Sequence, residues 1–339
     1  MINMKQWIVD VIANKKRLAI PIMTHPGIEL CNEKVINAVT SGEVHFKAIQ
    51  KLNNTLPADA VTVIMDLTVE AEAFGAEIIF PDNEVPSVVN RLVSNFDEVK
   101  ALQIPTLNVG RVQEYLKANR LTSENIKDKP VFGGCIGPYS LAGRLYGMTE
   151  MMMAVYIEPE IITLLLEKCT EFIANYCKSI KETGVNGVII AEPAAGLISN
   201  EDCSTYSSTY IKQIVEKVQD DNFMIVLHNC GNTGHCTEAT LEVGAMGYHF
   251  GNNADMVEVL NQCPTDVLVI GNLDPVSDFT TQSVKGVRAA TKNLLEATKN
   301  YRNFVISTGC DTPPNVPMEN IVAFYDEVKK YNKGTNKNL

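Results

Sequence analysis

The sequence predicts an α/β fold, a single-domain (β/α)8 TIM barrel spanning residues 1–339, on two observations. Eight short runs rich in Val and Ile alternate with longer stretches of helical spacing, the order expected of β/α repeats. Runs such as Ala19-Ile20-Pro21-Ile22-Met23 and Val188-Ile189-Ile190-Ala191 also lack in/out alternation, as strands covered on both faces of a parallel sheet do. A doubly wound open sheet is the alternative arrangement of the same elements.

The strands are expected at residues 19–25, 60–66, 130–137, 187–192, 224–230, 247–251, 267–274 and 304–310. Between them, Pro159 opens a helix that runs to about Thr183, with Gly184 as its C-terminal cap. Ile161, Leu164, Leu165, Cys169, Phe172, Ile173, Tyr176 and Ile180 give that helix one apolar stripe. A last helix is expected from near Pro317, carrying Ile321, Phe324, Tyr325 and Val328. Residues 70–122 exceed one helix, which predicts an insertion with a hairpin around 78–80, and the tail 333–339 is expected to fray.

Composition narrows the partners. Lys and Arg number 29 against 40 Asp and Glu, a net charge of −11, and so acidic a surface disfavours nucleic acid and anionic membrane partners. No apolar run reaches the ~18 residues of a membrane span. The opening MINMKQWIVDVIANKKR lacks the plan of a signal peptide, so a cytoplasmic location is expected. There, nine cysteines would be thiols or metal ligands rather than a disulfide framework.

Chemistry is expected where barrel strands end. Asp66, Glu192, Asn272 and Asp274 occupy such ends and are candidates to line a pocket, though Asp274-Pro275 also suits a turn. The sharpest feature is His228-x-Cys230, because residues i and i+2 of a strand point to one side and can share an ion. Cys310, ending the eighth strand, offers a third soft ligand, and His with two thiolates suits Zn²⁺ with one position open. Chance alone supplies about 0.13 His-x-Cys pairs at this content of His and Cys, and buried Cys is a common core residue, so packing stands beside metal binding as a reading. His235-Cys236, just beyond, suits the packing of a helix start.

These residues, taken with Gly271-Asn272-Leu273-Asp274-Pro275, Ser307-Thr308-Gly309-Cys310-Asp311, Pro317-Met318-Glu319-Asn320, Gly137-Pro138-Tyr139-Ser140-Leu141-Ala142-Gly143 and Asp66-Leu67-Thr68-Val69-Glu70, resemble the uroporphyrinogen decarboxylase superfamily. The nearer likeness is to its methylcobamide:coenzyme M methyltransferase branch, and it covers nearly the whole chain. The resemblance implies a (β/α)8 barrel. It also implies zinc on His228, Cys230 and Cys310, a methylated corrinoid on a partner protein as methyl donor, and a small thiol as acceptor. Two departures stand out. The Arg-rich segment with which decarboxylases of the superfamily grip porphyrinogen carboxylates is replaced by Arg17-Leu18-Ala19-Ile20-Pro21, without an Arg pair. An acidic residue of the methyltransferase branch aligns with Gly251, which makes His249 either a fourth zinc ligand or a hydrogen-bonding neighbour of a strand-end carboxylate such as Asp274. Porphyrinogen decarboxylation and a non-catalytic corrinoid-binding barrel are the rival functions.

Overall fold

The computed structural model describes residues 2–335. Among them, strands form at β1 (Val61–Thr62), β2 (Ile78–Ile79), β3 (Ser87–Val88), β4 (Val131–Ile136), β5 (Gly187–Ala191), β6 (Met224–Asn229), β7 (Gly247–Phe250), β8 (Leu268–Leu273) and β9 (Phe304–Thr308). Seven of these make one all-parallel sheet in the order β1-β4-β5-β6-β7-β8-β9. The chain is thus an α/β protein with a parallel sheet, its strands joined by helices that return the chain to the same edge. β2 and β3 pair as the expected hairpin inside the insertion. The rest of the insertion holds helices Val69–Phe74, Phe96–Ala101 and Val112–Asn125.

The first expected strand differs. Residues 19–25 make a single parallel bridge, Ala19 to Ile306, and His25 already opens the helix His25–Leu30. Pro21 is the physical reason, since it has no N–H to give to a ladder. Side-chain oxygens take over around it. Ala19 N–H donates to Asp59 Oδ2 (2.9 Å), Ile22 N–H to Thr308 Oγ1 (3.0 Å) and Thr24 N–H to Asp311 Oδ1 (2.7 Å). Ile20 N–H still reaches the Ile306 carbonyl, and Asp59 N–H the Ala19 carbonyl, so the segment runs between β9 and the approach to β1.

The strands divide their side chains between two cores, as period-2 alternation requires. Phe132, Ile189, Val226, Ile270 and Val305 point to one cluster, which the N-terminal helix Met4–Ala13 closes with Met4, Ile8 and Val11. Cys135, Val188, Ile190, Leu227, Val269 and Ile306 point to the other, where helix Pro159–Glu182 packs. That helix ends as expected, with Gly184 in the left-handed region at φ 88°. The last helix, Met318–Thr335, takes in the first residues of the tail expected to fray, and residues 336–339 lie outside those described.

The fold buries two carboxyls that titrate near neutrality. Burial raises Glu70 to about 7, against a hydrogen bond from Ile136 N–H to Oε1 (3.1 Å), while Oε2 has no partner. A carboxyl raised in the folded state contributes stability present below its unfolded value near 4.5 and lost as pH rises through about 7. Glu70→Gln removes that loss while keeping the accepting oxygen. Its unfolding free energy relative to wild type is expected to improve between pH 5 and pH 8 by on the order of 3 kcal/mol in urea titrations. A difference that does not change with pH would show that Glu70 does not titrate in this range.

Candidate metal centre and active site

The register of the sheet brings the site together. β6 and β7 pair with His228 opposite His249, so both imidazoles project from the same pleat. Cys230 follows β6 by one residue and Cys310 follows β9 by two. In a flat sheet β6 and β9 would stand three strand spacings apart, about 14 Å. Here Cys310 Sγ lies 3.8 Å from His228 Nε2, which only a strongly curled sheet allows. The ligand atoms of His228, Cys230 and Cys310 all fall within 4.8 Å of one another. Zinc bonds of ~2.0–2.1 Å to nitrogen and ~2.3 Å to sulfur, at tetrahedral angles, separate N from S by about 3.6 Å. The donor set and its spacing therefore fit Zn²⁺.

The two thiols perturb each other. Their mutual hydrogen bond draws Cys230 below the ordinary thiol range and, with burial, pushes Cys310 above it. A cation held between them would displace the thiol protons and leave both sulfurs as thiolates.

His249 is not a member of this group among the described residues. Its Nδ1 lies 2.7 Å from His228 Nδ1, and its Nε2 lies 3.0 Å from Ser307 Oγ. Its neighbours are thus an imidazole and a hydroxyl, and Asp274, the carboxylate suggested by the sequence, bonds elsewhere. Burial, and then the nearness of the His228 imidazole, hold His249 well below the usual imidazole range, so it is neutral. With a metal on His228 Nε2, the row takes one proton assignment. His228 keeps a lone pair on Nε2 toward the thiols and donates from Nδ1 to His249, which donates from Nε2 to Ser307.

Gly251 has a steric explanation. A Cβ there would sit 2.4 Å from the Cys230 carbonyl oxygen, so any side chain would displace the backbone that carries Cys230.

The other strand-end candidates serve the backbone. Asp66 is fully buried, accepts from Thr68 N–H (2.9 Å) and Thr68 Oγ1 (2.6 Å), and is ion-paired with Arg111. Glu192 accepts from the N–H groups of Tyr139 (3.0 Å) and Ser140 (2.5 Å), at the start of helix Pro138–Tyr146, where the helix dipole favours an anion. Burial raises its carboxyl to about 7 in spite of those bonds. Asn272 donates to the carbonyls of Gly251 (3.0 Å) and Ala254 (2.7 Å). Asp274 accepts from Val276 N–H, Ser277 N–H and Asn252 Nδ2. None of the four lines the cavity beside the three ligands. His235 and Cys236 bond to each other and to the carbonyls of Ile198 and Ala195, the packing role expected of them.

That cavity encloses about 190 Å³. His228, Cys230 and Cys310 form one part of its lining, and Ile22, Met65, Leu67, Val85 and Pro86 an apolar part. Its charged residues are Asp311 and Arg144. Neither was a sequence candidate, although Asp311 adjoins Cys310 and Arg144 directly follows the Gly137–Gly143 motif.

A model of the uroporphyrinogen decarboxylase (URO-D) family matches residues 27–331. The chain belongs to the URO-D family. Within it, the chain is 31% identical over 277 residues to the methylcobamide:CoM methyltransferase MtbA of Methanosarcina acetivorans, covering 80% of each protein. It is 23% identical over 278 residues to a uroporphyrinogen decarboxylase of Legionella pneumophila, covering 80% of this chain and 78% of that one. Among solved structures, a methyltransferase from Methanosarcina mazei superposes with a TM-score of 0.87 at 22% identity, over 96% of this chain and 98% of that chain. Among the described residues, no helix is long and apolar enough to cross a membrane.

Proposed function

We propose that this protein is a zinc-dependent methyltransferase that moves a methyl group from a methylated corrinoid (methylcobamide) to a small thiol such as coenzyme M. The observation that carries this reading is the convergence of His228, Cys230 and Cys310 from β6 and β9 within 4.8 Å, beside a cavity sized for a small molecule. Zinc held there supplies Lewis-acid activation, lowering the pKa of a bound thiol so that it is a thiolate nucleophile at neutral pH.

The chain's residues do the rest. Cys230 and Cys310 contribute negative charge to the site. His249 and Ser307 fix the ring plane and tautomer of His228. The apolar wall excludes water from the sulfur. A cavity of about 190 Å³ admits a small thiol and is far too small for a corrinoid, which fits a donor carried by a partner protein that docks over the opening. The relative named as a methylcobamide:CoM methyltransferase supports the same donor and acceptor.

The curled seven-stranded sheet, with residues 18–20 bonded on one side to Ile306 and on the other to Asp59, supports a barrel closed by that segment as its eighth stave. The large core draws on residues from Ala19 to Val328, which supports one domain. A cytoplasmic location suits the thiols. Porphyrinogen decarboxylation is opposed by Arg17, whose guanidinium donates to the carbonyls of Thr298, Tyr301 and Phe304 and so is not available to a substrate carboxylate. A non-catalytic corrinoid-binding barrel would have no need of the three converging ligands.

The deciding experiment measures zinc in the purified protein and then demethylation of methylcobalamin with and without added thiols. About one zinc per chain and demethylation that requires a thiol are expected. Demethylation that no small thiol accelerates over the zinc-stripped protein would overturn the acceptor assignment.

His249→Ala is expected to weaken zinc retention or activity by roughly 10–100-fold with His228, Cys230 and Cys310 still in place. Competition with a chromogenic chelator checks it. Unchanged retention together with unchanged activity would show that His228 needs no support from His249.

A further inference from the structure

Cys236 closes the turn that leaves Cys230, and a second thiol meets it there. Cys203 ends helix Asn200–Cys203, which packs against helix Thr237–Leu241. Asn200 Oδ1 accepts the Ala239 N–H (3.1 Å), and Ser208 Oγ donates to the Ala239 carbonyl (2.6 Å) while lying 3.9 Å from Cys203 Sγ. Cys203 and Cys236 are thereby brought into a hydrogen bond with each other. The His235 imidazole completes the group, with Nε2 3.1 Å from Cys236 Sγ and 3.1 Å from the Ile198 carbonyl. A carbonyl only accepts, so Nε2 carries the hydrogen and offers it to the Cys236 sulfur as well. Two donors thus face one sulfur, an arrangement that favours a thiolate. The mutual bond draws Cys236 below the ordinary thiol range against its burial, and with burial pushes Cys203 above it. The three groups do not form a second metal cluster among the described residues, where only the ligand atoms of His228, Cys230 and Cys310 gather within 4.8 Å.

We propose that Cys236 and Cys203 are a peroxide-reactive pair, with Cys236 the attacking sulfur, Cys203 the resolving one and His235 the donor that supports the attack. The Cys236 thiolate attacks one oxygen of hydrogen peroxide. An S–O bond forms, the O–O bond breaks, and the other oxygen leaves as water with the proton that Cys236 released on ionising. Cys203 then attacks the sulfenic sulfur. The S–S bond forms, the S–O bond breaks, and the hydroxyl leaves as a second water with the Cys203 proton. Two thiols are oxidised to one disulfide, and one peroxide is reduced to two waters. The pair rests on neither the zinc nor the methyl-transfer reading.

Access separates this pair from the thiols of the core. Cys236 is itself buried, but His235, whose ring lies against its sulfur, is an exposed side chain. His235 stands on a turn whose Gly234 is in the left-handed region at φ 111°, with nothing within 4 Å of where a Cβ would sit. Rotation of a surface side chain, rather than unfolding, brings a small oxidant to the sulfur. Cys135 and Cys177 also lie close, their sulfurs 3.7 Å apart, but they join β4 to helix Pro159–Glu182 inside the large core. Their mutual bond and burial push Cys135 well above the thiol range. A disulfide between Cys203 and Cys236 fastens helix Asn200–Cys203 to the turn that begins at Cys230, so oxidation acts on the segment that presents a metal ligand.

The test treats zinc-loaded protein with a small excess of hydrogen peroxide, blocks the remaining thiols with iodoacetamide and assigns the linked sulfurs by fragmentation in a mass spectrometer. The Cys203–Cys236 link is expected to form first, at least about 10-fold faster than any Cys135–Cys177 link. The same link should form in Cys230→Ser/Cys310→Ser protein, which separates it from oxidation of the metal ligands. Cys203→Ser should leave Cys236 as a sulfenic acid that dimedone captures. His235→Phe, which keeps a ring over the sulfur but donates nothing, should slow the reaction by roughly 10-fold, and His235→Gln, which keeps an N–H donor, should recover part of the rate. A histidine that only packs would be replaced better by Phe than by Gln. Cys203 and Cys236 still present as thiols once Cys135 or Cys263 has been oxidised would overturn the proposal. A wild-type rate in both His235 variants overturns the part given to His235. Should Cys203→Ser fail to fold, the order of oxidation in the wild-type protein decides.

Discussion

Purified Cys230→Ser/Cys310→Ser protein is expected to hold almost no zinc and to lose thiol-dependent demethylation of methylcobalamin by at least about 10³-fold. The argument starts from the donor set. Three protein atoms within 4.8 Å are the minimum that holds the ion with one position left for substrate. Binding free energies of about 10–16 kcal/mol for four-ligand zinc sites assign each ligand several kcal/mol, so each lost thiolate weakens binding by roughly 10²–10³-fold. The double serine variant is a cleaner test than His228→Ala. His249 Nδ1 stands 2.7 Å from the His228 ring and could swing into space vacated by it, masking the loss of a ligand. Cys236 cannot stand in for either cysteine in this way, since it bonds to His235 and the Ala195 carbonyl. Metal analysis and the demethylation assay read the same change independently. Full zinc retention in the double variant would sink the assignment.

How far the sequence reveals this site depends on the range of the interaction that makes it. β4 to β9 fall within two residues of their expected ends, because a strand covered on both faces needs a continuous apolar run and that pattern is local. His228 and Cys230 are equally local, set by strand periodicity. Cys310 joins them 80 residues later, and its place at the end of the eighth expected strand, rather than its spacing from Cys230, drew attention to it. The partners of His249 were hidden, since one is a register neighbour on β6 and the other, Ser307, lies two strands away on β9. Asp66, Glu192, Asn272 and Asp274 illustrate a different ambiguity. Where a parallel strand ends, ladder partners run out and backbone N–H and C=O groups must be satisfied by something else. A polar residue at that point can serve the backbone as readily as a substrate, and here all four do. Arg144 was passed over for the opposite reason. It stands in the last turn of a helix, and tertiary packing rather than strand periodicity brings it to the cavity.

Arg111→Ala is expected to destabilise the protein by about 3–5 kcal/mol, among the largest effects available to a single substitution outside the metal site. Arg111 is itself buried and binds five residues from three parts of the chain. It is ion-paired with Asp66, donates from Nε to Glu72 (2.6 Å), from one terminal nitrogen to Thr68 Oγ1 (2.8 Å) and from the other to the Val39 carbonyl (3.2 Å), and its guanidinium lies 4.7 Å from the centre of the Phe80 ring. Alanine leaves the Asp66 carboxylate, whose side chain has no exposed surface, with Thr68 as its remaining partner. Removing both charges is gentler, because no unpaired carboxylate is left behind. Arg111→Met/Asp66→Asn is expected to recover part of the loss, and urea unfolding at pH 7 measures both. The effect should extend to the site. Met65 and Leu67, on either side of Asp66, and Val85 and Pro86, in the insertion that Arg111 ties down through Glu72 and Phe80, together form most of the apolar wall of the cavity. A loosened wall raises KM for the thiol while zinc content stays at the wild-type level, which distinguishes this variant from any change at Cys230 or Cys310. A loss under 1 kcal/mol would mean that Asp66 finds water or another partner once Arg111 is gone, and that the clamp is not what holds the insertion against the sheet.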